Sequence, residues 1–426
     1  MSTTATSRPS GFNSREFRSE LARLREVDRF ANLGFLAWEY LCLAGVVGGA
    51  VVFGEWRQSW GLAWAWNVPV FGLAIVLIGG LTHRLAGLGH EASHYSLLPN
   101  KWVNDLVGDV FCLFPILATI HFYRLFHMAH HQYTNDPDLD PDLVNLGPGK
   151  AVESFPMGRW RFILTRMLAP ITSPFSFTLF QLEYLYVNVI GKGNNVYMRR
   201  VPDGDAASPW PRVGTILGAA YLLTILVGQH ALTLTGHAGW LIPFGLIGIT
   251  LAGLVTYLIP ERWVFQSPFR SAYSPRFSGV LRLMFFTAAF ITMGLLREAT
   301  HGRSSPYFYV LWLAPLVTTF PYFLLLRDTY QHTNADDGRL TNTRVFFCDP
   351  LTRWAIFVYG QDLHVPHHLF PVVPHYRLGQ LHELLKKSHG DYAREVVEVH
   401  GTFANDRGLP TVVDVLTTDR ESRKAV

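Results

Sequence analysis

Charge is scarce in this chain: only 16% of its 426 residues are Asp, Glu, Lys or Arg, where soluble domains carry about 25%. The charges nearly balance, 36 basic against 32 acidic, which excludes a protein that coats nucleic acid or another polyanion. Cysteine is scarcer still. Cys42, Cys112 and Cys348 are too few and too scattered for a disulfide framework or a cysteine-based zinc site, so nothing demands an oxidising compartment. There are no internal repeats or low-complexity tracts, and the polar N-terminal stretch is no secretory signal. What is abundant is apolar: 49% hydrophobic and 14% aromatic residues, the composition of surfaces that meet lipid and the membrane interface. Length alone would suggest about two or three soluble domains, a prior that fails when much of the chain lies in a bilayer.

A helix needs about 20 apolar residues to cross the hydrocarbon core, and Gly61–Thr82 is free of charge throughout. Leu33–Phe53 carries Glu39 alone, while Val213–Thr235, Gly239–Ile259 and Tyr307–Leu326 are uncharged. Leu283–Leu296 is short, set between Arg282 and Arg297. It crosses only if those arginines snorkel to both interfaces, and is otherwise a shallow re-entrant segment. The expected fold is all-α: a polytopic membrane protein with about six transmembrane helices, at the least about four, and a cytoplasmic helical cap.

Positively charged loops stay on the cytoplasmic side. Residues 83–212 hold eleven Lys and Arg, and the 260–282 loop adds Arg262, Arg270, Arg276 and Arg282, against Arg57, Arg297 and Arg303 in the opposite loops. That bias puts both termini inside. The chain then divides into a cytoplasmic N-terminal segment (1–30), with an amphipathic surface helix between Arg15 and Arg29, a membrane domain (31–378) and a cytoplasmic tail (379–426), partly helical and then disordered. Phe162–Ile190, apolar but interrupted by Pro170 and Pro174, is expected to rest in the interface.

Histidine carries most of the information. Of 18 histidines, eight fall in three clusters: His90 and His94 in GHEASH, His127, His130 and His131 in HMAHH, and His364, His367 and His368 in HVPHH. Residues three and four apart share a helix face, so each cluster presents imidazoles side by side as a ready metal site. Imidazole suits zinc, copper, iron and nickel and does not choose among them. The first cluster follows a span, the second lies in the same segment, and an even number of crossings returns the chain to that side before the third. All three can therefore meet at one membrane surface. HEASH is also the HExxH zinc-protease pattern with Glu91 as general base, a reading that leaves both HxxHH clusters unexplained.

The stretches GHEASHYSL, FHMAHHQYTNDPDLDPD, LRDTYQHTN and DLHVPHHLFPVVPHY, between about Ala86 and Arg377, resemble the histidine boxes and flanks of the integral-membrane fatty acid desaturase family in order and spacing. The resemblance implies a non-haem di-iron site, with two Fe ions held by His90, His94, His127, His130, His131, His364, His367 and His368, and by His332 of QHTN. It implies O2 as co-substrate, a fatty acyl lipid as substrate, and removal of two hydrogens from adjacent carbons to leave a double bond. No HPGG-like haem-binding sequence stands at either end, so electrons are expected from a separate donor of ferredoxin, rubredoxin or cytochrome type.

Groups beyond the ligands normally hold ligating imidazoles in one tautomer; Asp136, Asp140, Asp362 and His375 are the residues expected to do so. The same boxes serve enzymes that hydroxylate or ketolate lipids, so a di-iron lipid hydroxylase or ketolase is the alternative. A membrane zinc metalloprotease built on His90, Glu91 and His94 stands behind it, with a non-enzymatic binding protein. His121 has no counterpart in the family pattern and is expected to bind backbone or water at a helix interface. Trp102, Tyr133 and Tyr322–Phe323 are candidates to line an acyl channel, with core packing the default for aromatics.

Overall fold

Among the described residues, six helices are long and apolar enough to cross a membrane: Ala31–Trp56, Trp64–Ser93, Val213–Leu234, Ala238–Leu258, Pro275–Ala299 and Ser305–His332. They are numbered here as the first to sixth spans. The structure, a computed structural model, describes residues 15–144, 155–172, 211–265 and 267–418, with residues 175, 178, 179, 182 and 197 standing singly. The spans expose what a soluble protein would bury. On the fourth, Leu246 is 61% and Leu258 73% exposed, surface that only lipid would cover favourably. Several such helices make this an integral membrane protein.

The fifth span corrects the sequence reading. The segment taken as Leu283–Leu296 is the interior of a 25-residue helix, Pro275–Ala299. Arg282 is not a boundary. The helix starts at Ser274, whose hydroxyl accepts the Phe277 N–H, with Pro275 in its first turn, the signature of a capped N-terminus. The expectation of a short or re-entrant segment belongs elsewhere. Lys101–Ile116 and Ile120–Tyr133 together are apolar enough for one span but meet at 88°. Leu117 takes φ +65° at the break, and Thr119 caps the second helix by accepting the Phe122 N–H.

Glycine sets how closely the second and sixth spans approach. A Cβ on Gly79 would lie 2.0 Å from Thr319 Oγ1 and 2.9 Å from the Phe320 backbone nitrogen, so no side chain fits. Thr319 then donates to the Ile75 carbonyl at 2.8 Å. This contact aligns the two helices whose ends carry His90, His94 and His332.

The cap at that end is built from both ends of the chain. Arg15–Leu24 is helical and buries Phe17, Leu21 and Leu24, an i, i+4, i+7 stripe. The stripe packs on Val365, Leu378, Leu381 and Leu385, so the apolar side of the expected amphipathic helix faces protein. Val345–Phe347 and Glu398–His400 form a parallel two-stranded sheet, the one departure from an all-α fold among the described residues. Val412–Thr417 is capped by a reciprocal Thr411–Asp414 box and buries Val412, Val413, Val415 and Leu416. The tail is thus described to residue 418; the disorder expected further on, residues 1–14 and about half of Phe162–Ile190 lie outside the described residues.

Candidate metal centre

Four pieces of chain converge at one end of the bundle. The second span ends at Ser93, placing His90 in its last turn and His94 just past it. Ile120–Tyr133 carries His127, His130 and His131 on adjacent turns. The sixth span ends at His332, and the short helix His364–Leu369 carries the third cluster. The bend of 88° before Ile120 is what turns the second cluster back towards the first and third.

The nine histidines sort into two groups. His90, His94, His127, His131 and His367 each offer a nitrogen within 4.8 Å of the others, and so do His130, His332, His364 and His368. Within the first, Nε2 atoms lie 3.0 Å apart for His90–His367, 2.8 Å for His94–His127, 2.9 Å for His127–His131 and 3.1 Å for His131–His367. Within the second, the spacings are 3.2 Å for His130–His332, 2.9 Å for His332–His364 and 3.1 Å for His364–His368. The groups adjoin, with the His131 and His368 ring centroids 4.3 Å apart.

These spacings pass a test for a metal site. Two nitrogens each about 2.1 Å from one ion and at right angles to each other are about 3 Å apart. Neutral imidazoles are also required, because only they offer a lone pair. Burial, reinforced by neighbouring imidazoles, holds His364, His367 and His368 well below the usual histidine range. Both clusters are compatible with metal ions, and an all-nitrogen donor set suits a transition metal better than Mg²⁺ or Ca²⁺.

Contacts to Nδ1 leave Nε2 as the inward atom. Both Asp140 oxygens lie 3.1 Å from His130 Nδ1. His332 Nδ1 is 3.2 Å from the Asn342 carbonyl, and His368 Nδ1 is 3.2 Å from the Thr134 hydroxyl. At His90 the Gln361 amide nitrogen lies 3.2 Å from both ring nitrogens and so selects neither. Thr134, Asn342 and Gln361 were missed in the sequence; Thr134 and Gln361 sit in the box flanks, while Asn342 acts through its backbone and leaves no signal.

The other expected residues are placed differently. Asp136 accepts the Asp138 and Leu139 N–H groups, capping a turn. Asp362 pairs with Arg353 at 2.9 Å; burial pushes its carboxyl up while Arg353 opposes the shift. His375 meets the Asn32 side chain at 2.9 Å, and its N–H donates to Glu91 at 2.9 Å. Burial lowers the His375 pKa against the pull of that carboxylate. Glu91 is therefore occupied, accepting also from the Ser96 hydroxyl at 3.0 Å, and His90 and His94 share their group with three further histidines. A zinc-protease base needs a free carboxylate and an open metal position; this geometry offers neither.

Comparison with known proteins agrees with the geometry. A family model described as fatty acid desaturase matches residues 64–259 and 253–399. The dihydrorhizobitoxine desaturase of Bradyrhizobium elkanii is 30% identical over 176 residues, 41% of this chain and 45% of that protein. The chloroplastic omega-3 fatty acid desaturase of Glycine max is 23% identical over 97% of this chain and 76% of its own length. The Delta(12) fatty acid dehydrogenase of Crepis alpina is 30% identical over 46% of this chain and 50% of its own. The first and third matches thus span half or less of those relatives.

Proposed function

Because the chain belongs to the fatty acid desaturase family, we propose that it is an O2-dependent fatty acyl desaturase whose centre holds two iron ions. His90, His94, His127, His131 and His367 would hold one ion, and His130, His332, His364 and His368 the other. The observation that carries the reading is this division of nine buried or half-buried imidazoles into two adjoining groups. When bound, iron supplies the redox chemistry with O2 that an unactivated methylene requires; zinc has none.

The protein's own residues do the rest. Asp140, Thr134, Gln361 and the Asn342 carbonyl fix ring orientation, and the low-dielectric surroundings favour the neutral form of His364, His367 and His368. In the overall balance a CH2–CH2 unit gives up two hydrogens, an external donor supplies two electrons with two protons, and O2 leaves as two waters. The donor would be a separate ferredoxin, rubredoxin or cytochrome, and the bias of basic residues between the spans supports a cytoplasmic side for the histidine-bearing end and both termini.

The test is metal content and product together. Protein purified without oxygen is expected to hold near two irons per chain, His367→Ala far less, and reduced wild type should introduce double bonds into membrane acyl chains. Zinc with little iron, or hydroxylated lipid as the sole product, would refute the proposal.

A further inference from the structure

Away from the histidines, a cleft of about 510 Å³ runs between the third, fourth and fifth spans and the break at Leu117–Thr119. That volume falls within the roughly 300–1,000 Å³ of small-molecule sites. Along the fourth span its lining extends from Phe244 to Ile259, ~22 Å of helix. Ile225, Ile247, Leu251, Val255 and Leu283 make the walls apolar. Glycine keeps the cleft open: a Cβ on Gly279 would meet nothing within 4 Å, and one on Gly218 only Leu283 at 3.8 Å. Trp102, Tyr133, Tyr322 and Phe323, the aromatics expected to line an acyl channel, are not among its lining residues.

Two polar side chains line this apolar space without full partners. His121 is 2% exposed, and neither ring nitrogen has a hydrogen-bond partner among the described residues. Among the described residues the Arg282 Nε is likewise buried and unpartnered, and its Nη1 makes a 3.4 Å contact to the Leu117 carbonyl. The neighbouring Asp109 carboxylate is already taken by Tyr273, Ser278 and the Ile120 N–H. Arginine carries donors and no acceptor, and a buried donor left unmet is costly. A long apolar slot with one donor-rich point inside it describes a complementary ligand: a hydrocarbon chain bearing one acceptor oxygen.

We propose that this cleft seats one acyl chain of a membrane glycerolipid, its ester carbonyl accepting from Arg282 and His121, and that substrate reaches the metal centre sideways from the bilayer by this route. His121 and His127 lie on one helix, ~9 Å apart along its axis. The binding claim stands on the cleft alone; the claim that the bound lipid is substrate rests on the desaturase reading.

The experiment uses metal-loaded enzyme in phosphatidylcholine vesicles doped with a phosphatidylcholine carrying a diazirine in one acyl chain. Irradiation without reductant or oxygen reads binding independently of turnover. Label is expected on Phe244–Ile259 and Pro275–Leu283, and Gly279→Trp should lower it about tenfold, ~1.4 kcal/mol, with metal content and melting temperature unchanged. Gly218→Phe, filling the opposite wall, should act the same way. An ether-linked analogue, lacking the carbonyl, should label more weakly than the ester in wild type, and Arg282→Leu should abolish that difference. Label spread over the lipid-facing surface and indifferent to both filling variants, or equal ester and ether labelling in wild type, would overturn the site. Enzyme blocked by cross-linking should lose turnover; blocked enzyme that still oxidises lipid would make the occupant a resident lipid and overturn the route. If wild type labels as expected yet oxidises no lipid, the desaturase reading falls and the cleft assignment stands.

Discussion

Asp140 sits with both oxygens 3.1 Å from His130 Nδ1, while His130 Nε2 faces His332. A carboxylate on Nδ1 fixes the tautomer that leaves Nε2 free to bind metal and raises its basicity. Asp140→Asn keeps the shape but loses the charge. It should lower iron affinity or activity about 10- to 100-fold, read as iron retained during chelator titration; Asp136→Asn, whose carboxylate only caps a turn, should leave retention near wild type. That contrast also shows how far the site was legible. Eight of the nine histidines could be grouped from spacing, because helical periodicity puts i, i+3 and i+4 together wherever the helix ends up, while His332 was named only through the resemblance of QHTN to the family pattern. The supporting groups could not be named from spacing, because an Asp after a histidine can face a ring, a turn or an arginine with equal ease. Asp140, Asp136 and Asp362 took one of these each.

A buried charge cluster joins the first span, the second span and the loop before the third histidine cluster. Glu39 is fully buried and accepts from Arg84 Nε at 2.8 Å and from the Tyr359 hydroxyl. Arg84 lies six residues before His90, and Tyr359 five before His364. Ionisable groups inside a membrane protein persist where they are paired, and removing one partner strands the other at a cost of about 3–5 kcal/mol. Glu39→Ala should therefore lower the melting temperature in detergent sharply and loosen iron binding. Pairing it with Arg84→Leu should recover much of the loss, and a double-mutant cycle giving additive effects would dissolve the cluster. The spans themselves were readable as uncharged runs. The fifth was counted but its ends were misplaced because Arg282 looked like one, and the 88° break before Ile120 was invisible because Leu117 shows no sequence cue for its positive φ. The small sheet pairs residues 345–347 with 398–400, too short and too far apart for any local pattern to announce.

At the scale of the whole molecule, folding gathers nine imidazoles from four places in the chain into one water-poor volume, so stability, metal and pH are linked. A cation that binds the folded chain and not the unfolded one stabilises by about 4 kcal/mol at a thousandfold excess over its Kd, so chelation should lower the melting temperature of every element at once. The sign of the pH effect follows from the depressed folded-state pKa of His364, His367 and His368. As pH falls below about 6.5, the unfolded chain takes up protons that these buried rings refuse, so stability must fall with it. Protons and metal also compete for the same lone pairs. Metal-free protein is therefore expected to lose stability steadily as the pH falls below about 6.5, with loaded protein releasing iron as acid is added. A melting temperature that rises on acidification would mean the folded state welcomes charge on these rings, and the paired metal groups would have to be abandoned.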